Sequence, residues 1–186
     1  MRGFLALELD NETRQILAGI QNRLKEEGVR GNFSILENLH LTIKFLGEID
    51  AVQVKKIRSM IKNVTELHHS FVLTLDFFGK FEKGNKMIIW AGLNRNELLH
   101  KLYSDVETKL GSIVPGLDEK SYSPHITLVR EAVSDKVFSE IQKNLGKVDH
   151  SFPASGLSLM ESTRKDGRLA YIRQAYESFK QNDWMM

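Results

Sequence analysis

Two tetrapeptides in this chain, His40-Leu41-Thr42-Ile43 and His125-Ile126-Thr127-Leu128, share the pattern His, apolar, Thr, apolar. Each lies in a stretch with the period of a strand, where side chains two apart project from one face. One imidazole and one hydroxyl therefore stand side by side, while the apolar partners anchor the strand. The unperturbed imidazole pKa of about 6.5 lets a neutral and a protonated ring coexist near neutral pH. Such a pair suits in-line displacement at phosphorus, with a base activating the nucleophile on one side and an acid protonating the leaving oxygen on the other. The threonine hydroxyls can donate to the non-bridging phosphate oxygens. A single His-x-Thr on a half-exposed strand is most simply a solvated polar pair, because Thr is a good strand former. Two copies at equivalent places of a repeat are harder to dismiss. Zinc is the other competitor, but two histidines with no carboxylate or thiolate in the motifs make a poor ligand set.

The elements around the motifs follow from periodicity and caps. Phe4 to Leu9 reads as a strand, and Asp10 caps a helix with Ile16, Leu17, Ile20 and Leu24 at helical spacing, ended by Gly28. After the first motif strand, Leu39 to Phe45, Asp50 and Gln53 form a capping box for a helix carrying Val54, Ile57, Ile61 and Val64. Phe71 to Phe78 is a third strand. The order then repeats: a strand at Ile88 to Leu93, a helix through Leu98, Leu99, Leu102, Val106 and Leu110 ending near Gly111, and the motif strand His125 to Val129. Ser134 is expected to open a helix containing Val137, Ile141 and Leu145. Leu157 to Ser162 pairs with Leu169 to Tyr176 across a turn holding Asp166-Gly167.

His40 and His125 are 85 residues apart, and the same shift carries Phe4 to Ile89, Asp50 to Asp135 and Leu73 to Ser158. The chain reads as a duplication. The fold class expected is α+β: two mainly antiparallel sheets related by a pseudo-two-fold axis, helices on their outer faces, and a central cleft. Residues 1–186 are expected to form a single bilobal domain with half-repeats of about 1–85 and 86–180.

The 186 residues are 41% apolar and 27% charged, an ordinary globular composition that needs no staple. Zero cysteines exclude a disulfide scaffold, thiolate metal sites and a cysteine nucleophile, and they fit a reducing compartment, with cytoplasm expected. No stretch approaches the roughly 20 apolar residues of a membrane span, so no membrane partner is expected. A net charge of +2 is too small to mark a nucleic-acid binder by bulk electrostatics.

The motifs and their surroundings resemble the 2H phosphoesterases, and within them the RNA 2′,3′-cyclic phosphodiesterases, also called 2′-5′ RNA ligases. Besides the two His-x-Thr-x motifs, the resemblance is carried by Arg30-Gly31-Asn32-Phe33, Glu37-Asn38-Leu39-His40, Lys44-Phe45-Leu46-Gly47-Glu48, Trp90-Ala91-Gly92, Tyr122-Ser123-Pro124-His125 and Leu159-Met160-Glu161-Ser162. It spans essentially the whole chain. Where many members carry two prolines, this chain has Ile35-Leu36. The resemblance implies hydrolysis of a 2′,3′-cyclic phosphate at an RNA end to a 2′-phosphomonoester, with reverse 2′-5′ ligation as a companion activity. It assigns His40 as proton donor and His125 as acceptor; two related motifs do not distinguish these roles by themselves. RNA ends or small cyclic-phosphate nucleotides are the implied substrates, with no metal or cofactor, and a monomer is expected. The alternatives keep the site but change its use: another small cyclic or 2′-5′ phosphodiester, or a non-catalytic module gripping an RNA end.

Phe45 and Arg130 each follow their motif histidine by five positions. In proteins resembling this one, such positions approach the substrate, an aromatic stacking on a base and an arginine pairing phosphate. Strand parity points both inward unless the strand ends or twists first. Lys44 shares the motif parity and is expected to be solvated near the strand end. His68, His69, His100 and His150 lack the motif context and are expected on the surface or in loops, without a role.

Overall fold

In a computed structural model, described over residues 1–117 and 121–181, the segment Arg2–Glu8 forms strand β1 with Phe4, Leu5, Ala6 and Leu7 all buried. A run that is apolar at every position suits a central strand covered on both faces. The covers differ. Leu5 and Leu7 belong to the main core, whereas Phe4 and Ala6 form a small separate cluster with Met160, packed by Tyr171.

Helix α1, Asn11–Glu26, starts as expected, with the Asp10 side chain accepting from the Thr13 backbone N–H. After it come strand β2, Arg30–Phe33, a 3-10 turn at Leu36–Asn38, and the first motif strand β3, His40–Glu48. Helix α2, Ala51–Thr65, has the complete Asp50/Gln53 capping box and buries Ile57, Met60, Ile61 and Val64. Strands β4, Phe71–Lys83, and β5, Lys86–Leu93, lead to helix α3, Glu97–Leu110, and to the second motif strand β6, His125–Val133. Helix α4, Phe138–Leu145, and strands β7, His150–Ala154, β8, Gly156–Lys165, and β9, Arg168–Ser178, complete the described chain. The β8–β9 turn is built on Asp166 and Gly167, both with positive φ, as a tight hairpin requires.

Three of these elements differ from expectation. Helix α4 begins at Phe138, not at Ser134, because the Ser134 hydroxyl accepts from the Lys136 N–H and holds a local turn there. Val137 is accordingly exposed, not part of the buried stripe. Strands β2 and β7 were absent from the periodicity: both are short edge strands, Arg-Gly-Asn-Phe and His-Ser-Phe-Pro-Ala, with too few residues for alternation to register.

The strands form two sheets, a four-stranded one in the order β3-β1-β8-β9 and a five-stranded one in the order β2-β6-β5-β4-β7, with every strand pair antiparallel. Helices α2 and α3 pack together against the first sheet; α1 and α4 pack together against the second. The shift of 85 residues superposes β1 on β5, β3 on β6 and β4 on β8. The sheet orders then show an exchange: β8 completes the sheet of β1 and β3, and β4 completes that of β5 and β6. Neither sequence half holds all of its own sheet. The sheets approach each other along β3 and β6, which brings the motifs face to face. Among the described residues, no helix is long and apolar enough to cross a membrane.

The exchange predicts one cooperative unit. Fragments 1–85 and 86–181 expressed separately will lack native secondary structure by circular dichroism, since each leaves a central strand as a bare apolar edge. The intact chain will unfold in a single transition by both far- and near-ultraviolet probes.

Candidate active site

The motif strands carry matching breaks in register. In β3, Leu5 pairs with Lys44 and Ala6 with Thr42, leaving Ile43 as an extra residue. In β6, Ile89 pairs with Val129 and Trp90 with Thr127, leaving Leu128 extra. Ile43 and Leu128 are themselves related by the shift of 85. A bulge of this kind rotates the strand and reverses the parity beyond it. Ile43 and Lys44 are therefore buried in succession, as are Leu128 and Val129, and the next residues, Phe45 and Arg130, emerge on the face of His40, Thr42, His125 and Thr127. The alternation that directs Phe45 and Arg130 inward holds only as far as Ile43 and Leu128.

Both imidazoles are held in the same way. His40 Nδ1 lies 2.7 Å from the Asn38 carbonyl and His125 Nδ1 lies 2.8 Å from the Ser123 carbonyl. A carbonyl only accepts, so each Nδ1 carries the proton and each Nε2 is the working nitrogen. The Asn38 carbonyl is fixed by the 3-10 turn that Leu36 opens and by the Asn38 amide donating to the Leu169 carbonyl at 2.9 Å. His40 Nε2 stands 3.0 Å from Thr42 Oγ1; with the ring neutral, the hydroxyl donates to it. Protonation of the ring reverses this bond and frees the hydroxyl proton for another acceptor.

The surroundings of the two rings differ. His40 is half-buried between Phe4, with centroids 4.8 Å apart, and Tyr171, edge-on at 5.0 Å. Loss of hydration lowers its pKa to about 4, against the Asn38 carbonyl, which favours the charged form; the charges of Arg130 and His125 lower it further. His125 sits beside Phe81 at 5.0 Å and Trp90 at 5.8 Å. Its pKa is also lowered by burial, with the Ser123 carbonyl opposing and Arg130 adding. Trp90 reaches this position by lying over Gly79, where any Cβ would fall 2.2 Å from the indole. Glu8, paired with His40 across the strands, is engaged elsewhere: burial works against its charge, but Arg173 and Ser158 hydrogen-bond it and keep it below the usual carboxylate range.

A narrow crevice brings together His40, Thr42, His125, Thr127 and Arg130, with Asn38, Ser34 and Tyr171 around them. It opens beside a groove of about 530 Å3 lined by Phe45, Phe81, Tyr103 and Tyr122. Tyr122 stacks on Tyr103 with centroids 4.2 Å apart, and its hydroxyl donates to the Thr42 carbonyl at 3.1 Å. Five of the six residues singled out in the sequence thus line one crevice, and Phe45, exposed, lines the groove next to it. Two expectations fail. Lys44 is buried and paired with Glu107 at 2.7 Å, because the bulge turns it toward α3. His68 is not on the surface but buried and bonded to Asp105 at 2.9 Å. Tyr171 is not marked in the sequence, since its strand shows no motif. Asn38 and Ser123 could have been found, since they too are related by the shift of 85. Among the described residues no group of three His, Asp or Glu side chains is placed to hold a metal ion.

Known proteins resemble this chain in sequence and fold. Residues 7–90 match the LigT-like phosphoesterase family. An RNA 2′,3′-cyclic phosphodiesterase of Thermotoga maritima is 30% identical over 131 residues, 70% of each chain. The chain belongs to the LigT-like phosphoesterase family. A Methanocaldococcus jannaschii protein of the same name is 29% identical over 168 residues, covering 88% of this LigT-like phosphoesterase and 92% of the relative. The fold matches the crystal structure of E. coli LigT complexed with 3′-AMP at a TM-score of 0.78 and 23% identity, over 97% of this chain and 98% of that one.

The depressed imidazoles give a direct prediction. In the free protein His40 will titrate by NMR near pH 4 and His125 below 6.5. As pH falls from 6.5 toward about 4, the unfolded chain accepts a proton that folded His40 refuses, so this histidine's contribution to stability is lost over that window. A His40 midpoint at or above 6.5 contradicts the burial argument.

Proposed function

We propose that this LigT-like phosphoesterase hydrolyses 2′,3′-cyclic phosphate ends of RNA to 2′-phosphomonoesters, acting as a monomer in the cytoplasm. The observation that carries this reading is the pairing of two imidazoles, each with Nδ1 locked on a backbone carbonyl, in one crevice with two threonines and Arg130. His125 Nε2 takes a proton from water as its oxygen attacks phosphorus. The bond from phosphorus to the ribose 3′ oxygen breaks opposite, and His40 Nε2 delivers a proton to that oxygen. Thr42, Thr127 and Arg130 hold the non-bridging oxygens, and Phe45 stacks on the base in the aromatic groove. Reverse 2′-5′ ligation uses the same groups with acid and base interchanged.

A proton donor whose pKa is about 4 in the free protein has to be charged by its substrate. The phosphodiester anion does this: a negative charge beside His40 favours imidazolium and offsets the cost of its burial. The pH profile of kcat/KM, which reports the free enzyme, is therefore expected to be bell-shaped with its maximum below 6.5, and the profile of kcat to lie at higher pH.

Incubation with RNA ending in a 2′,3′-cyclic phosphate tests the reading. His40→Gln and His125→Gln are expected to lower turnover by about 100-fold or more with the circular dichroism unchanged. Binding without turnover by the intact protein would leave only an end-binding module. A purely 3′-phosphate product, resolved by phosphorus NMR, would reverse the orientation of the ribose. Phe45→Ala is expected to raise KM several-fold with kcat nearly unchanged, since the ring touches the base and not the reacting atoms.

A further inference from the structure

Helix α2 carries Lys55, Lys56, Arg58 and Lys62 and no acidic residue. The whole chain has a net charge of only +2, so everything outside this helix is net negative. Lys55 and Arg58, and Arg58 and Lys62, are helical neighbours of like sign, an arrangement that costs a helix stability. All four are exposed, and the Arg58 guanidinium turns aside to donate to the Gln174 carbonyl at 2.8 Å. The nearest acids on the same element are its flanking residues. Asp50 is occupied in the N-terminal capping box, and Glu66 lies at the C-cap.

Across from Lys55 and Lys56 stands Lys109 of α3, and between the helices runs a groove of about 590 Å3. Ser59, Asn63 and Ser112 supply its other polar groups. None of Lys55, Lys56 and Lys109 has an ion-pair partner among the described residues. Of the acids that α3 carries nearby, Glu107 is paired with Lys44, and Asp105 with His68 and Lys101. Unpaired ammonium groups around a concave surface, interspersed with hydroxyl and amide donors, complement a run of phosphates.

We propose that the groove between α2 and α3 is a second, sequence-independent site that binds the phosphate backbone of the RNA strand whose end occupies the crevice. The inference rests on the reading of that crevice as an RNA-end site. Helix α3 borders both places: its Tyr103 lines the aromatic groove, and its Lys109, six residues further, lines the basic one. At 1.5 Å per residue the two are about 9 Å apart along the helix axis. Six residues also place them about 120° apart around the helix, so a strand leaving the aromatic groove crosses over α3 to meet the lysines. A concave surface with short polar side chains suits a strand better than the flat face of an anionic membrane.

The test compares a nucleoside 2′,3′-cyclic monophosphate with an RNA of about 20 nucleotides carrying the same end, using Lys55→Glu/Lys56→Glu/Lys109→Glu. The variant is expected to keep wild-type turnover of the mononucleotide and to lose about tenfold in kcat/KM on the long RNA. Its log-affinity for the RNA will depend less steeply on log salt, by a slope of about 2 for three lost contacts. Wild-type turnover of the mononucleotide shows that the variant is folded; the milder Lys→Gln set serves if it is not. Equal effects on both substrates, or none on the long RNA, overturn the proposal. So does loss of binding to phosphatidylserine vesicles with RNA affinity intact, which would assign the lysines to a membrane surface. If the wild-type protein turns over neither substrate, the function proposed above fails, and anisotropy with a 3′-hydroxyl RNA still decides whether the groove binds a strand.

Discussion

The face that each motif strand presents to the cleft is set by one inserted residue, Ile43 in β3 and Leu128 in β6. A strand in regular step could offer His40 and Thr42, or Phe45, but not all three. The insertion resolves this by spending two consecutive positions on the core, Ile43 with Lys44 and Leu128 with Val129. The core in turn requires both insertions. Ile43 and Leu128 both lie in the main core, and the Leu128 carbonyl accepts from the Ser34 backbone N–H and from the Gln21 side chain of α1, each at 2.9 Å. The local defect is thus tied into the packing that holds the two sheets.

The backbone symmetry stops at the side chains. Both imidazoles hang from equivalent carbonyls, yet His40 is pressed between Phe4 and Tyr171 while His125 rests against Phe81 and Trp90. Phe4 corresponds under the repeat to Ile89, and Tyr171 to Lys86 in the opposite direction, so neither neighbour of His40 has an aromatic counterpart. Two copies of one motif acquire different proton affinities from their neighbours. In the free protein this disfavours the charged form of His40, the ring proposed as proton donor, so the substrate anion has to restore it.

What could be read in the sequence was what local chemistry dictates. Asp10 with Thr13, Asp50 with Gln53, and Asp166-Gly167 fix helix starts and a turn through bonds between near neighbours, and they stand as expected. The two motifs were legible for the same reason: a pair of residues two apart needs only the strand's period. The rest depends on distant partners. Lys44 is drawn inward by Glu107, His68 by Asp105, and Ser134 loses its role as a cap to a local turn. The parity of Phe45 and Arg130 depends on register against β1 and β5, which their own strands do not encode. The exchange of third strands likewise leaves no mark in the periodicity of β4 or β8, since a strand has the same pattern in either sheet.

That exchange also governs the order in which the chain can assemble as it is made. Strand β1 pairs with β3, some forty residues later, but its other edge waits for β8, where Phe4 meets Met160 and Leu5 meets Leu159. At about 5–20 residues per second, a ribosome needs on the order of 10–30 s to supply those partners. Throughout that interval β1 has one open edge, and Phe4 and Ala6 have no Met160 to cover them. The first sheet closes only once β8, Gly156–Lys165, has been made, so β1 is sealed long after it emerges.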